Sequence, residues 1–166
     1  MSEVDEKKEQ AAAAAGKQFS IQKVYMRDIS FETPNTPQIF QEKWVPETNM
    51  QLGNKAVVLA EGVHEVMLSV TVTAKIGDKT AYLVEVQQCG IFNISGYAPK
   101  ELSAIVGSVC PNTLFPFARE AVSDLVTRGG FPQLLLTPVN FDALYAEYAQ
   151  QQRKQQEGAG EVPVQH

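Results

Sequence analysis

The chain has 166 residues, 44% of them hydrophobic, and a formal net charge of −5. This length and composition suit a single globular domain. The 14 Lys and Arg residues are scattered along the chain, which argues against a nucleic-acid-binding surface. No apolar run approaches the ~18 residues that a membrane-spanning helix needs, and the acidic start is unlike a signal peptide. We therefore expect neither nucleic acid nor direct membrane insertion.

The two ends of the chain have the composition of flexible tails. Residues 1–16 are charged and then rich in alanine, and residues 150–166 are rich in glutamine and then in Gly, Glu and Pro. We expect one folded domain over residues 17–149 between these tails. Its two cysteines, Cys89 and Cys110, form no disulfide framework, which suits a reducing compartment such as the cytoplasm.

The first part of the domain carries strand patterns. Alternation predicts a strand over residues 19–32 with one buried and one solvated face, and the apolar Val24 and Met26 indicate a bulge or a subunit contact within it. Three prolines predict that residues 33–46 form a loop. Residues 47–61 are weakly patterned. A short edge strand near Met50 and Leu52, followed by a turn of helix, is one possibility for them.

The clearest strand is predicted over residues 63–76, where apolar and polar residues alternate. Gly77-Asp78 is typical of a hairpin turn, and residues 80–89 form the return strand. Gly90 is expected to break that strand. Residues 91–97 then form either a fourth strand or a continuation of the third.

The rest of the domain reads as helical. Pro99 opens a first helical segment, and Asn112 or Thr113 is expected to cap a second helix that ends at Gly129-Gly130. Two prolines bracket an extended connector before a last helix capped by Asn140. Strands followed by helices indicate an α+β fold, namely a four-stranded, meander-like antiparallel sheet with the C-terminal helices on one face.

Side chains suited to catalysis are few and isolated. His64 is the only histidine before the last residue, and a histidine on an apolar strand face is usually a core residue. Cys89 and Cys110 have no His or Asp nearby in sequence and lack CxxC spacing. We therefore predict that the chain is not an enzyme and has no catalytic residues, metal site or cofactor.

An acidic set on the sheet is the first candidate for binding. Alternation places Asp28 and Glu32 on a solvated face of one strand and Leu83 and Glu85 on a solvated face of another. An ordinary solvated sheet face would explain the acids. An exposed leucine among them is typical of a docking surface for a basic partner.

Aromatic residues outside the strands are the second candidate. They lie in the proline-rich loop, in the connector and on the last helix: Phe40, Trp44, Phe131, Phe141 and Tyr145. They could form a secondary core under a long loop. They could equally line a groove, between the loop and the last helix, that holds extended apolar peptide, because rigid rings bind many sequences.

Long motifs between Phe19 and Tyr148 resemble the SecB family of protein-export chaperones. They are Y-M-R-D-I-S-F-E-T-P-N-T-P-Q-I-F-Q-E-K-W, V-Q-Q-C-G-I-F, C-P-N-T-L-F-P-F-A-R-E and G-F-P-Q-L-L-L-T-P-V-N-F-D-A-L-Y. Departures from the family pattern are small, at Phe117, Gly130 and Leu135.

The resemblance implies an ATP-independent cytoplasmic chaperone that holds unfolded precursor proteins in extended form and delivers them to SecA, the export ATPase. It implies a homotetramer, a dimer of dimers. It places SecA contacts at Asp28, Glu32, Leu83 and Glu85, and peptide grooves beside Trp44 and Tyr145. It also implies oligomer-interface positions, here Val84, Val86, Gln88, Leu114 and Val122.

Two other functions remain open from the sequence. One is a small-ligand-binding or enzymatic α+β domain whose aromatic pocket holds one compound. The other is a structural oligomer with a sealed aromatic core. A chaperone is expected to respond to many unrelated peptides, which neither alternative would do.

Overall fold

A computed structural model of the chain describes residues 16–158. The predicted N-terminal tail, except Gly16, and residues 159–166 of the C-terminal tail lie outside that range. The strands are β1 (Gln18–Glu32), β2 (Glu47–Ala60), β3 (Val63–Ile76) and β4 (Lys79–Ser95). The helices are a short 3-10 helix (Gln38–Gln41), α1 (Pro99–Ala104), a π-helix (Ile105–Val109), α2 (Cys110–Arg128) and α3 (Phe141–Gly158).

The four strands form one antiparallel sheet in the order β1-β4-β3-β2. The α+β fold class and the four-stranded sheet are confirmed. The strands are not a simple meander, because β1 pairs with β4 and the loop of residues 33–46 carries the chain across to β2 at the opposite edge. Helix α2 packs on one face of β4 and β3, so the sheet has a helix face and an open face.

Strand β1 contains the expected bulge twice. The register with β4 shifts between Ile21 and Lys23 and again between Met26 and Asp28. Each extra residue turns the following side chains to the other face. The apolar side chains therefore share the helix face: Phe19, Ile21, Val24, Met26, Ile29 and Phe31. Tyr25 lies on the open face, where it pairs with Cys89.

Residues 47–60 form one continuous edge strand, so the possibility of a short strand followed by a turn of helix is not what the structure contains. Pairing with the regular strand β3 runs from Glu47↔Lys75 to Ala60↔Val63 and satisfies the backbone of a segment with a weak pattern of its own. Only Met50 and Leu52 are partly buried in this strand. That is why its side-chain pattern was uninformative.

Strand β4 continues through Gly90, so the expected break was wrong. Gly90 lies on the helix face, where a Cβ atom would come 2.7 Å from the Phe92 ring and 3.0 Å from Leu114. The glycine thus permits close helix–sheet packing instead of ending the strand. The hairpin at Gly77, with a positive φ of 59°, is confirmed.

The two helical segments before the connector form one continuous helical stretch from Pro99 to Arg128. The expected cap at Asn112 or Thr113 was wrong, because the preceding backbone is already helical. The helix ends at Gly129, followed by Gly130 with φ 86°. Asn140 caps α3 as expected, accepting a 3.0 Å hydrogen bond from the backbone N–H of Ala143.

The core lies between the sheet and α2. Its largest fully buried side chains are Tyr82, Phe92, Leu68 and Leu114. Helix α3 runs past residue 149, and its residues 150–158 are exposed. No helix within residues 16–158 is long and apolar enough to cross a membrane.

Candidate functional site

The acidic set lies together on the open face of the sheet. Glu32 is the cross-strand partner of Leu83, and Ser30, which separates Asp28 from Glu32, is the partner of Glu85. The three carboxylates are exposed and Leu83 is partly buried. No helix covers this face within the described residues, so a partner surface can reach all four side chains.

A polar network lies on the same face beside Asp28. The Arg27 guanidinium donates to both carboxylate oxygens of Glu65 at 2.8 Å, and the Tyr25 hydroxyl donates to the same carboxylate. Burial and the bond to Glu65 raise the pKa of Tyr25 to about 12. Arg27 is the neighbour of Asp28 in the chain, but its guanidinium pairs with Glu65 on β3, two strands away from β1.

An open groove of about 960 Å³ lies between α3, the segment of α1 and the π-helix, and strand β2. Its α3 wall carries Phe141, Leu144, Tyr145 and Tyr148. Leu52 and Ala56 of β2 and Val106 of the π-helix add aliphatic surface opposite. The lining is mostly apolar, with amide and hydroxyl groups and the cations Lys100 and Arg153 between, which suits an extended peptide.

A second aromatic region lies at the other end of α2. Trp44 packs on Tyr82 and Phe131 with ring centroids 6.4 and 5.6 Å apart, and Phe40 packs on Phe131 at 5.0 Å. Tyr82 and Phe131 are buried, Trp44 is partly buried and Phe40 is 50% exposed. We call these four residues the loop cluster.

The five expected groove residues are thus divided between two places. Phe141 and Tyr145 line the groove, whereas Phe40, Trp44 and Phe131 belong to the loop cluster. Helix α2, with 19 residues and so about 28 Å long, separates these regions, and the connector of residues 129–140 joins them. Sequence reasoning missed the β2 wall, because residues 52–56 carried no interpretable pattern.

The expected oligomer-interface residues are all buried inside the single chain. Val84, Val86, Leu114 and Val122 have 0% exposure and Gln88 has 4%. Gln88 donates a 3.0 Å hydrogen bond to the carbonyl of Tyr25. These residues lie between the sheet and α2, so their direct contacts are within the protomer.

The groups that could act as nucleophiles are protected from ionisation. Burial raises the pKa of the Cys110 thiol to about 12 and also raises the pKa of Cys89. Both side chains have 0% exposure. His64 is buried and its Nδ1 atom has no hydrogen-bond partner among the described residues. None of these three side chains lines the groove.

Comparison with known proteins decides the family. The family model described as preprotein translocase subunit SecB matches residues 12–152. The protein-export protein SecB of Nitrosococcus oceani is 63% identical over 147 residues, covering 87% of this chain and 88% of that protein. The chain belongs to the SecB family. The protein-export protein SecB of Methylococcus capsulatus is 56% identical over 143 residues, covering 86% of this chain and 92% of that protein.

A solved structure shares the fold. The Mycobacterium tuberculosis SecB-like chaperone, in complex with a ChAD peptide from the HigA1 antitoxin, aligns with a TM-score of 0.62 at 17% identity. The alignment covers 78% of this chain and 94% of that chain. It supports the SecB-like sheet-and-helix arrangement described above.

Proposed function

We propose that this SecB-family chain is an ATP-independent chaperone that holds unfolded precursor proteins in extended form and delivers them to SecA. The observation that carries the proposal is the open groove, with four α3 side chains facing β2 across an apolar channel. Such a surface binds many sequences, because rigid rings supply apolar area at little entropic cost. The peptide bound to the tuberculosis relative supports the same use of the fold.

The groove is the main contact for the client in this proposal. An extended client leaving it along the connector reaches the exposed ring of Phe40 and the edge of Trp44, with Phe131 beneath them as support. Several shallow contacts of this kind produce avidity without a tight single site. Slowly folding precursors expose apolar segments long enough to be held in this way.

SecA is proposed to dock on the open face of the sheet. Asp28, Glu32 and Glu85 supply negative charge around Leu83, and complementary charge favours a basic partner. We expect Asp28→Lys or Glu85→Lys to abolish SecA binding while the assembly and peptide capture remain. Loss of the assembly in these variants would instead mean that the positions are structural.

A homotetramer, built as a dimer of dimers, is proposed from the apolar surface left open by one chain. The helix face of edge strand β1 exposes Phe19, Ile21, Met26 and Ile29 at 36–44%, and α2 exposes Phe117 at 47%. A second subunit covers such surface in an oligomer. In this proposal the buried set positions α2 on the sheet and so affects assembly indirectly. Its members are Val84, Val86, Gln88, Leu114 and Val122.

From the family we also propose that this chaperone is cytoplasmic and has no enzymatic activity. Light scattering with and without an unfolded precursor tests the class and the assembly together. We expect a tetramer that takes up an extended chain and suppresses aggregation of unrelated unfolded proteins. Binding of one small compound, with no effect of unrelated peptides, would favour the alternative of a ligand-binding or enzymatic domain.

A further inference from the structure

The π-helix Ile105–Val109 interrupts an otherwise α-helical stretch next to the groove. Pro111 supplies a local cause, because proline has no N–H and its ring crowds the carbonyl four residues earlier, which is that of Gly107. Five residues before Pro111 lies Val106, whose carbonyl accepts a 3.2 Å hydrogen bond from the side chain of Asn54. A wider turn of this kind is uncommon and often lies at functional sites.

Three consecutive residues of the π-helix contact the two other walls of the groove. Val106 is tied to β2 through Asn54. Ser108, only 5% exposed, donates its hydroxyl hydrogen to Asp142 in the first turn of α3. Gly107 lies directly under the ring of Tyr145, where a Cβ atom would come 2.5 Å from Cδ2.

Among the contacts within residues 16–158, helix α3 has few other attachments. Its first residue, Phe141, packs on Phe115 with ring centroids 5.8 Å apart, and Asn140 caps it. The helix otherwise contacts mainly the π-helix, and most of its residues after Tyr145 are exposed. The side chains that face β2 across the groove are therefore held in place from one end.

We propose that the π-helix sets the width of the groove, with Gly107 and Ser108 as positioning residues that determine which client side chains fit. The inference rests on the proposed binding of extended peptide in this groove. The Ser108–Asp142 bond and the close Gly107–Tyr145 contact hold α3 near β2, which favours aliphatic side chains. Release of either contact moves α3 outward and favours larger rings.

Two fluorescently labelled peptides of equal length and charge test this, one with leucine and one with tryptophan at its central apolar positions. Binding to the full chain is measured by fluorescence anisotropy. Ser108→Ala is expected to weaken the leucine peptide about tenfold and the tryptophan peptide about twofold or less. Gly107→Ala, which displaces Tyr145, is expected to shift the ratio in the same direction. Ser108→Thr keeps the hydroxyl and is expected to keep the wild-type ratio of the two peptide affinities.

Controls separate the possible failures. Ser95→Ala, at the exposed end of β4, leaves the ratio unchanged. Asp142→Asn weakens the same bond without altering Ser108 and repeats the shift of Ser108→Ala. Equal losses for both peptides, or no loss, would overturn the inference while leaving the proposed groove intact. Failure of wild-type protein to bind either peptide would overturn the proposed function as well.

Hydrogen exchange of the full-length variants supplies a second readout. Ser108→Ala is expected to speed exchange of amides in residues 143–150 and to leave β3 unchanged, because only α3 loses an attachment. Unchanged exchange in α3 would contradict the positioning role even if peptide affinity fell.

Discussion

The loop cluster and the groove contain the same kinds of side chain, and each combines buried and exposed members: Phe40 is 50% exposed in the loop cluster, and Phe141 is 6% exposed in the groove. They differ in which residues carry the exposed surface. In the loop cluster, Tyr82 and Phe131 are 1% and 5% exposed. In the groove, Leu144 and Tyr148 are 44% and 57% exposed and face a channel. The loop cluster closes one end of the core, whereas the groove lies open beside an edge strand. Aromatic content alone therefore does not identify a binding surface; the supporting backbone determines its role.

The two regions differ because different segments carry them. The loop of residues 33–46 is stiffened by three prolines and lies across the end of the sheet, so its rings pack on Tyr82. Helix α3 is held mainly by its first turns, so its rings face open space. We expect mutations to affect chiefly stability in the loop cluster and chiefly binding in the groove.

The largest expected effect is loss of stability on Phe131→Ala. This ring contacts Phe40, Trp44 and Tyr82, and truncating a buried phenylalanine costs about 3–5 kcal/mol. Denaturant unfolding measures the change. The matched groove variant, Tyr148→Ala, is expected to cost less than about 1 kcal/mol. Similar losses for the two variants would remove the distinction between the regions.

For peptide binding, substitutions in the groove should have larger effects than substitutions in the loop cluster. Tyr145→Ala removes a ring from the groove wall and is expected to weaken an extended apolar peptide about tenfold or more. Phe40→Ala, on the exposed edge of the loop cluster, is expected to weaken it only about twofold to threefold. Anisotropy titrations with one peptide compare the two. A larger loss for Phe40→Ala would make the loop the main site.

Alkaline pH should weaken the loop cluster through Tyr82. Burial raises the pKa of Tyr82 above its ordinary value of 10.0, so the folded state disfavours the phenolate. The stabilisation is full below pH 10 and is lost as pH rises from there through the folded pKa. Tyr82→Phe should therefore flatten the fall of the unfolding midpoint above pH 10, relative to its value at pH 8. If the unfolding midpoint of Tyr82→Phe fell as steeply above pH 10 as that of the wild type, Tyr82 would not be the group responsible.

The smallest expected effect is at the exposed end of α2 that leads to the loop cluster. Arg128 pairs with Asp124 at 2.8 Å, and both side chains are more than half exposed. An exposed pair four residues apart contributes about 0.3–0.5 kcal/mol. Arg128→Ala should lower the unfolding midpoint slightly, and salt should abolish the difference. A loss above about 1 kcal/mol would mean that Arg128 supports the loop cluster directly.

Local signals in the sequence predicted much of the fold. Alternation in β3, the turn at Gly77 and the cap at Asn140 depend on neighbouring residues, and the structure contains all three. The acidic set was grouped correctly by strand alternation. The SecB-family motifs carried the function. These features need no knowledge of distant contacts.

What sequence reasoning missed depends on tertiary contacts. Strand β2 is extended because β3 pairs with it, not because of its own residues. Gly90 stays in β4 because Val24 of β1 and Val66 of β3 pair with it on either side. The division of the aromatic residues depends on where the loop and α3 attach to the sheet, which no periodicity encodes. The π-helix likewise depends on Pro111 and on long-range hydrogen bonds, from Asn54 to Val106 and from Ser108 to Asp142.

The most direct test of the central claim is hydrogen exchange of the full chain with and without a saturating unfolded precursor. The groove is proposed as the main client site, so β2 residues 52–56 and α3 residues 142–149 should show the largest slowing of exchange. The loop around residues 38–44, a secondary contact, should show a clearly smaller slowing. Protection confined to the loop, with the groove unchanged, would contradict the account.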